Sequence, residues 1–575
     1  MSRISLRFGR RVTIRKIFFL FVVLFTVWVL QILVFPSSYA VHNPTKNKEL
    51  GEQSSIDKWR EASGLKSISS NDKIIVNYGT IRCFHIGTFY EACLPAHRVL
   101  PGRMHTTSTH LIKKDLRGSL YKDIFGVSEY LFYDYRQIHE FHPNTKDIDI
   151  LIISDTKHSN SILPNVEFAT ISANKITATS LDKVVTDINI LFGEDCEEPR
   201  SAWRLFKEKP VNSGRQPAYV DIKTLGSEEE ENIEPVLSIK NRNGKFKIVQ
   251  LADLHLGVGK NKCIDEYPKH ELCEADPKSM EFVNEVIDIE NPDLVVFSGD
   301  QIMGDRSRED SETTLLKALN PVIKRKIPWA MIWGNHDDEG SLTRWELSEL
   351  AAKLPYSLFQ FNRFDTKDNT FGVGNYAQQI FHNNTSKAAI TLYFMDSHKY
   401  SKAGKLFPGY DWVKESQLEY FQALYENGLK RNINDNEYKH VSLAFLHIPL
   451  PEFANINSVK KPGSQKEIVG TYKEGVTAPK YNSGGLAVFD SLSVDVIGCG
   501  HDHCNDYCLH DDSTPTKEIW LCYGGGAGEG GYAGYGGTER RIRIYDIDTN
   551  SGTIHTWKRL NGNPTNPFDK QIIKG

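Results

Sequence analysis

Neither sign of charge dominates this chain. Across 575 residues, 69 Lys and Arg stand against 73 Asp and Glu, a formal net charge of −4. Without a basic footprint a nucleic acid is not expected as substrate or partner. Internal repeats are absent, so a repeat architecture is not expected. The glycine-rich stretch GGGAGEGGYAGYGG (524–537) allows close backbone approach to a ligand, but no GKS or GKT follows it, so it is not a phosphate-cradling P-loop. Cysteine is scarce at nine, yet that is more than a reduced cytosolic protein needs, and an odd count leaves at least one unpaired or intermolecular. Of these, Cys263 with Cys273 and Cys508 with Cys522 read as disulfides. A structural zinc site among Cys499, Cys504, Cys508 and Cys522 is disfavoured by irregular spacing.

A long hydrophobic run occurs at the N-terminus, where IFFLFVVLFTVWVLQILVF (17–35) carries no charge. It follows a tail, 1–16, with Arg3, Arg7, Arg10, Arg11, Arg15, Lys16 and no acid. Such a run covers most of a hydrocarbon core of ~30 Å and predicts a signal-anchor with a cytoplasmic N-terminus and a lumenal remainder, a type II protein of the secretory pathway. Secretion after cleavage near Ser38–Ala40 is the alternative. Two overlapping sequons at Asn383 and Asn384 agree with that compartment.

Residues 36–75 read as a solvated stem and 76–236 as a β-rich accessory region with a linker containing the acidic run Glu228–Glu234. In that region KIIVNYG, EYLFYDY and DIDILIISD have strand character. From 237 to 575 apolar runs of strand length alternate with helical patterns, the mark of an α/β sheet. Asp276 is expected to cap a helix with Pro277 in its first turn. A second helix is expected to start at the box Ser416–Glu419 and stop near Gly428.

Five apolar runs end in residues of one chemical type. KIVQLA leads to Asp253-Leu254-His255 and DLVVFS to Gly299-Asp300. WAMIW leads to Gly334-Asn335-His336-Asp337-Asp338, VSLAFL to His447, and VDVIGC to Gly500-His501-Asp502-His503. One such ending is an ordinary turn; five in order point to a crevice beyond the carboxyl ends of strands. Carboxylate, amide and imidazole donors without obligatory cysteine suit Mn, Fe or Zn. In an extended chain Asp253 and His255 share a side, as do His501 and His503, with Asp502 turned away. Arg541 and Arg543 share a strand face and could meet phosphate, although solvated charge is the plainer reading. His398 is read as a bystander. The insertion holding Cys263 and Cys273 could gate the site or be a stapled surface excursion.

The ordered set DLH, GD, GNHD, H and GHDH resembles the calcineurin-like metallophosphoesterases. The resemblance implies an αββα double-sheet sandwich and two metal ions. It assigns Asp253, His255, Asp300 and His503 to one metal and Asp300, Asn335, His447 and His501 to the other, with Asp300 bridging. His336 would be the phosphate-facing acid and Asp337 its orienting partner, serving in-line attack by a metal-bridging hydroxide. Purple acid phosphatases carry Asp-x-Gly where this chain has Asp253-Leu254-His255, and a tyrosine where it has Met303, so no charge-transfer colour is expected. Stretches such as NPDLVVFSGDQIMGD and MIWGNHDDEG are closer to fungal cell-cycle-regulator phosphatases and related plant purple-acid-phosphatase-like proteins. That resemblance implies a phosphomonoesterase acting on Ser/Thr phosphoproteins or small phosphate esters. The alternatives are a phosphodiesterase of nucleotides or lipid head groups, or a non-catalytic scaffold retaining the fold.

Overall fold

The computed structural model describes residues 72–93, 108–118, 122–138, 148–154, 163, 165–171, 182–211, 214–225, 227, 237–239, 244–361, 370–383, 385–402, 405–433, 439–459, 468–534 and 536–575. The basic tail, the apolar run 17–35, nearly all of the stem, the acidic run 228–234 and Asn384 lie outside the described residues. Among those described, no helix is long and apolar enough to cross a membrane. The chain divides into two compact units, Met1–Leu151 with Phe168–Thr177 and Ile152–Glu167 with Ala178–Gly575.

The first unit carries four antiparallel strands in the order Tyr90–Cys93, Lys73–Ile86, Phe125–Gln137, Ser108–Ile112. KIIVNYG and EYLFYDY form its two long strands, as their apolar alternation predicts. Ile81, Cys83 and Tyr130 form a small buried cluster there. Cys83 is bonded to Cys93, a pairing the sequence reading did not anticipate.

The second unit is built on two six-stranded sheets. The first holds β1 (Lys245–Leu251), β2 (Leu294–Ser298) and β3 (Trp329–Ile332). In the second lie β4 (Tyr376–Phe381), β5 (Ala388–Phe394), β6 (Val441–Phe445), β7 (Val496–Cys499), β8 (Cys508–Asp511) and β9 (Ile519–Tyr523). Strands β10 (Arg541–Asp548), β11 (Thr553–Leu560) and β12 (Asn563–Lys574) complete the first sheet, whose order is β3-β2-β1-β10-β11-β12. The second runs β4-β5-β6-β7-β9-β8. Strands β1, β2 and β3 are mutually parallel, as are β5, β6, β7 and β9, so their carboxyl ends open on one side of each sheet. The near-continuous apolar runs LVVFS and VSLAF are wholly buried, as strands covered on both faces must be.

Between the sheets lies one core to which Val249, Phe297, Phe394, Phe445 and Ile544 contribute. Helices α1 (Ala275–Glu290) and α2 (Ser311–Lys324) extend that core through Phe282, Val286, Leu315 and Leu319. A second core includes Leu418 and Phe421 of α4 (Glu415–Leu424), which follows α3 (Arg344–Ala351), together with Leu486 and Phe489. These layers are the expected αββα architecture.

Two helix boundaries differ from expectation. Glu274, not Asp276, holds the N-cap position of α1. Asp276 is buried and accepts from Lys317 Nζ at 2.6 Å and from Gly257 N at 2.9 Å, so a tertiary cation outweighed a local cap. Helix α4 starts at Glu415 after Lys414, whose N–H donates to Gln417 Oε1 at 2.8 Å. It also continues past Gly428 through a π-turn, Tyr425–Leu429, to Ile433. A helical Gly costs about 1 kcal/mol, less than the apolar contacts of Tyr425, Leu429 and Ile433 supply.

Candidate metal centre

All five motif blocks leave the carboxyl ends of β1, β2, β3, β6 and β7, and the structure brings them to one buried place. The donor atoms of Asp253, His255 and His503 lie within 4.8 Å of one another, as do those of Asp300, His447 and His501. The turns that deliver them are not extended. Asp253 (φ 56°), His255 (φ 49°), Asp300 (φ 52°) and His501 (φ 75°) are all left-handed. The alternation argument therefore named converging pairs but for the wrong backbone. Four non-glycine residues in that region cost roughly 1–2 kcal/mol each, strain that clusters where function constrains the chain. His501 N donates to the Asp253 carboxylate at 3.0 Å, tying the first and last blocks together.

The donor set is arranged for cations. His447 Nδ1 donates to Ser298 O at 3.0 Å, which leaves its Nε2 as the atom open to a proton or a cation. That Nε2 faces Asp300 Oδ2 at 3.1 Å, a contact that a shared proton or a cation makes favourable. His503 Nδ1 donates to Tyr532 O at 2.8 Å, and its Nε2 lies 3.3 Å from Asp253 Oδ1 and 3.0 Å from His255 Nε2. Asn335 Oδ1 is buried and without a partner. Lone pairs of imidazole, amide and carboxylate facing one another in the interior repel unless a cation or proton lies among them. Burial works against a charged His447, yet Asp300 and Asp253 push it up to about 9. Burial likewise opposes ionised Asp300, but His447 and His255 hold its carboxyl well below the usual range. His255 and His501 are held well below theirs, first by burial. His255 and His501 are thus neutral beside an ionised Asp300, the form that ligates metal, and a cation would displace the proton that His447 otherwise carries.

The family model for calcineurin-like phosphoesterases matches residues 246–505. Phosphatase DCR2 of Saccharomyces cerevisiae is 53% identical over 528 residues, covering 90% of each chain. Probable inactive purple acid phosphatase 29 of Arabidopsis thaliana is 36% identical over 58% of this chain and 86% of its own. A dimetal phosphatase structure from Danio rerio superposes on 57% of this chain and 98% of its own, with 15% identity and a TM-score of 0.37. The chain belongs to the calcineurin-like phosphoesterases. It is a phosphoric ester hydrolase, and the unpartnered donors at its centre fit the two metal ions that such dimetal phosphatases use.

Within this phosphoesterase the residues around His336 depart from expectation. Asp337 does not touch the imidazole. Its buried carboxylate accepts from the backbone N–H groups of Asp300 (3.0 Å), Ile302 (2.9 Å) and Gly334 (2.6 Å). Burial, with Asp300 nearby, pushes it up to about 7. It is the brace that shapes both turns. The partner of His336 is Glu339, whose Oε2 lies 2.7 Å from Nδ1. Burial lowers and Asp300 with Glu339 raises the His336 pKa, and the net shift is upward. The i, i+3 spacing of His336 and Glu339 was visible in the sequence, but a turn offers no periodicity by which to choose Glu339 over Asp337.

The glycine-rich segment backs the donors. Gly528 N donates to Asp253 O at 3.1 Å, and Gly526 N to His503 O at 3.0 Å. A Cβ on Gly528 would sit 1.8 Å from Leu254 O, and one on Gly531 2.5 Å from His503 Cε1. Tyr532, in the same segment, stacks on His503 with ring centroids 4.0 Å apart. Close approach is thus to the chain's own donor residues. Arg541 is buried against Asp506, and Arg543 donates to Tyr523 O at 2.8 Å, so neither is solvated and neither offers itself to phosphate. Asp502 turns away as expected, accepting from Tyr523 Oη at 2.6 Å and from Thr477. The insertion after β1 is stapled by Cys263–Cys273 and pinned to the glycine segment by Arg540 Nη2 donating to Ile264 O at 2.6 Å. Cys508–Cys522 is the other expected disulfide; Cys499 and Cys504 are free and buried.

Proposed function

We propose that this enzyme is a phosphomonoesterase of Ser/Thr phosphoproteins. In this reading Asp253, His255, Asp300 and His503 hold one cation and Asp300, Asn335, His447 and His501 the other, Asp300 being shared. The observation that carries the metal assignment is the convergence of buried donor atoms: His447 Nε2 opposite Asp300, His503 Nε2 opposite Asp253, and Asn335 Oδ1. When bound, the cations supply Lewis acidity toward the phosphoryl oxygens and the attacking water. The chain's own residues do the rest. Ser298 O and Tyr532 O fix the tautomers of His447 and His503. His336, about one-third exposed and paired with Glu339, stands beside His255, with ring centroids 5.5 Å apart, and protonates the leaving alkoxide.

Mn, Fe and Zn all suit this N/O donor set. Metal analysis of chelator-free protein is expected to find two ions per chain. Chelation should abolish p-nitrophenyl phosphate hydrolysis, and Asp300→Asn should lose both ions. Retention of full activity after chelation would refute the reading.

The compartment is proposed too: residues 17–35 as anchor, the phosphatase lumenal. Exposed Asn383 within a sequon and three disulfides among the described residues support it. A glycosidase-sensitive mobility shift is expected, and its absence counts against a lumenal site.

A further inference from the structure

Between β5 and α4 the chain leaves the sheet as an arm whose described residues are 399–402 and 405–412. Tyr400 pairs with Tyr410 across it, and Ser401 N donates to Gly409 O at 2.9 Å. Its root is held by a buried ion pair, a buried hydrogen bond and a partly exposed ion pair. Asp396 Oδ1 meets Arg344 Nη1 at 2.7 Å, His398 Nε2 lies 2.7 Å from Gln417 Oε1, and Lys399 Nζ meets Asp338 Oδ2 at 2.8 Å. Asp338 belongs to the GNHDD turn, so the arm is fastened to the loop that carries Asn335 and His336. At its base Tyr410 sets its ring edge-on to His501, with centroids 4.4 Å apart, and stacks on Tyr400 at 4.6 Å. Phe407 is enclosed by Trp412 and Tyr481 at 5.0 and 5.3 Å.

That enclosure turns the neighbouring residues outward. Leu406 is 80% exposed and Tyr400 60%, and Lys402 and Lys405 are exposed beside them. Two buried polar contacts and one partly exposed ion pair anchor this loop, and it nevertheless presents a leucine and a tyrosine to water. The four residues from Tyr410 back to Leu406 span roughly 13 Å if extended, too far for a small phosphate ester held at the metals to reach. A polypeptide could follow the arm the whole way.

Building on the proposed function, we propose that the arm's described residues, 399–402 and 405–412, are the substrate-recognition element of this phosphatase. Tyr400 and Tyr410 receive the phosphorylated residue's near neighbours, while Leu406, Lys402 and Lys405 select apolar and acidic side chains farther along the substrate.

The test uses two phosphoserine peptides of equal length, one flanked by Glu and Phe, the other by Gly and Lys, with p-nitrophenyl phosphate as a third substrate. Wild-type enzyme prefers the first peptide by about tenfold in kcat/KM, the scale that charge steering and one aromatic contact supply. Lys402→Glu combined with Lys405→Glu, and separately Leu406→Ala, erase that preference through KM rather than kcat, with the melting temperature as the check on folding. Equal use of both peptides by the wild type, or a preference that survives both variants, overturns the arm's role while the phosphatase reading stands. Protein inert toward all three substrates with every divalent ion tested overturns the reading beneath it, and the arm's role falls with it.

Discussion

Glu339 and Asp337 show how two carboxylates near one histidine take different work. Glu339 meets the imidazole, whereas Asp337 meets three backbone amides and never the ring. Glu339→Gln is expected to slow hydrolysis of alkyl phosphates about tenfold or more, the worth of a charge-assisted hydrogen bond, and nitrophenyl phosphate much less, because only the poor leaving group needs the proton. Equal losses on both esters would count against the pairing. Asp337→Asn should instead appear in stability: each amide left unsatisfied costs ~1–3 kcal/mol, read as a lowered melting temperature together with weaker metal retention.

At the scale of elements, the glycine segment, described over 524–534, holds the donors from behind. Gly528→Ala would drive a methyl into Leu254 O, so the turn carrying Asp253 and His255 must shift. Loss of one metal ion per chain and of most activity is the expected result, checked by metal analysis of the purified variant. A fully loaded, active variant would show that the turn adapts. Arg541 is a buried partner of Asp506, not a phosphate contact. Arg541→Ala removes one of the cations that pair Asp506 and leaves Lys558 in place, so the cost approaches but stays under the ~3–5 kcal/mol of an uncompensated buried charge. A chemical denaturation midpoint well below the wild type is therefore expected, with KM for p-nitrophenyl phosphate holding in the folded fraction.

For the whole molecule, acid should destabilise in two stages. Burial, with Lys574 and Lys517 and against the opposing pull of Asp495, leaves His440 lowered to about 4, so it is neutral in the fold and takes up a proton more readily when unfolded. Its contribution is present above the usual imidazole range and disappears as pH falls toward 4. Asp506 is buried, yet Lys558 and Arg541 lower it to about 2. Its contribution is present above the usual carboxylate range and disappears as pH falls through about 4 to 2. Melting temperatures across pH 7 to 3 should decline in that order, and a flat profile would contradict both. Separately, reduction of the three disulfides should lower the melting temperature, since each closes a loop that the unfolded chain otherwise leaves open.

Much of this was legible in the chain alone. Five apolar runs ending in Asp, His and Asn announce buried strands and where the donors leave them, because burial dictates apolarity along a covered strand and ligand chemistry dictates the residue at its end. Two disulfides followed from spacing within stapled loops. The pairing Cys83–Cys93 did not, since antiparallel register across a hairpin decides it. Nor could spacing tell that Asp253 and His255 bend through left-handed backbone, that Glu339 displaces Asp337 at His336, or that Arg541 and Arg543 turn inward. Each of those outcomes depends on a partner more than thirty residues away, or on a turn whose shape is set by such a partner. Local pattern determines which residues can serve. Only the folded sandwich, by desolvating them together, decides which of them face one another.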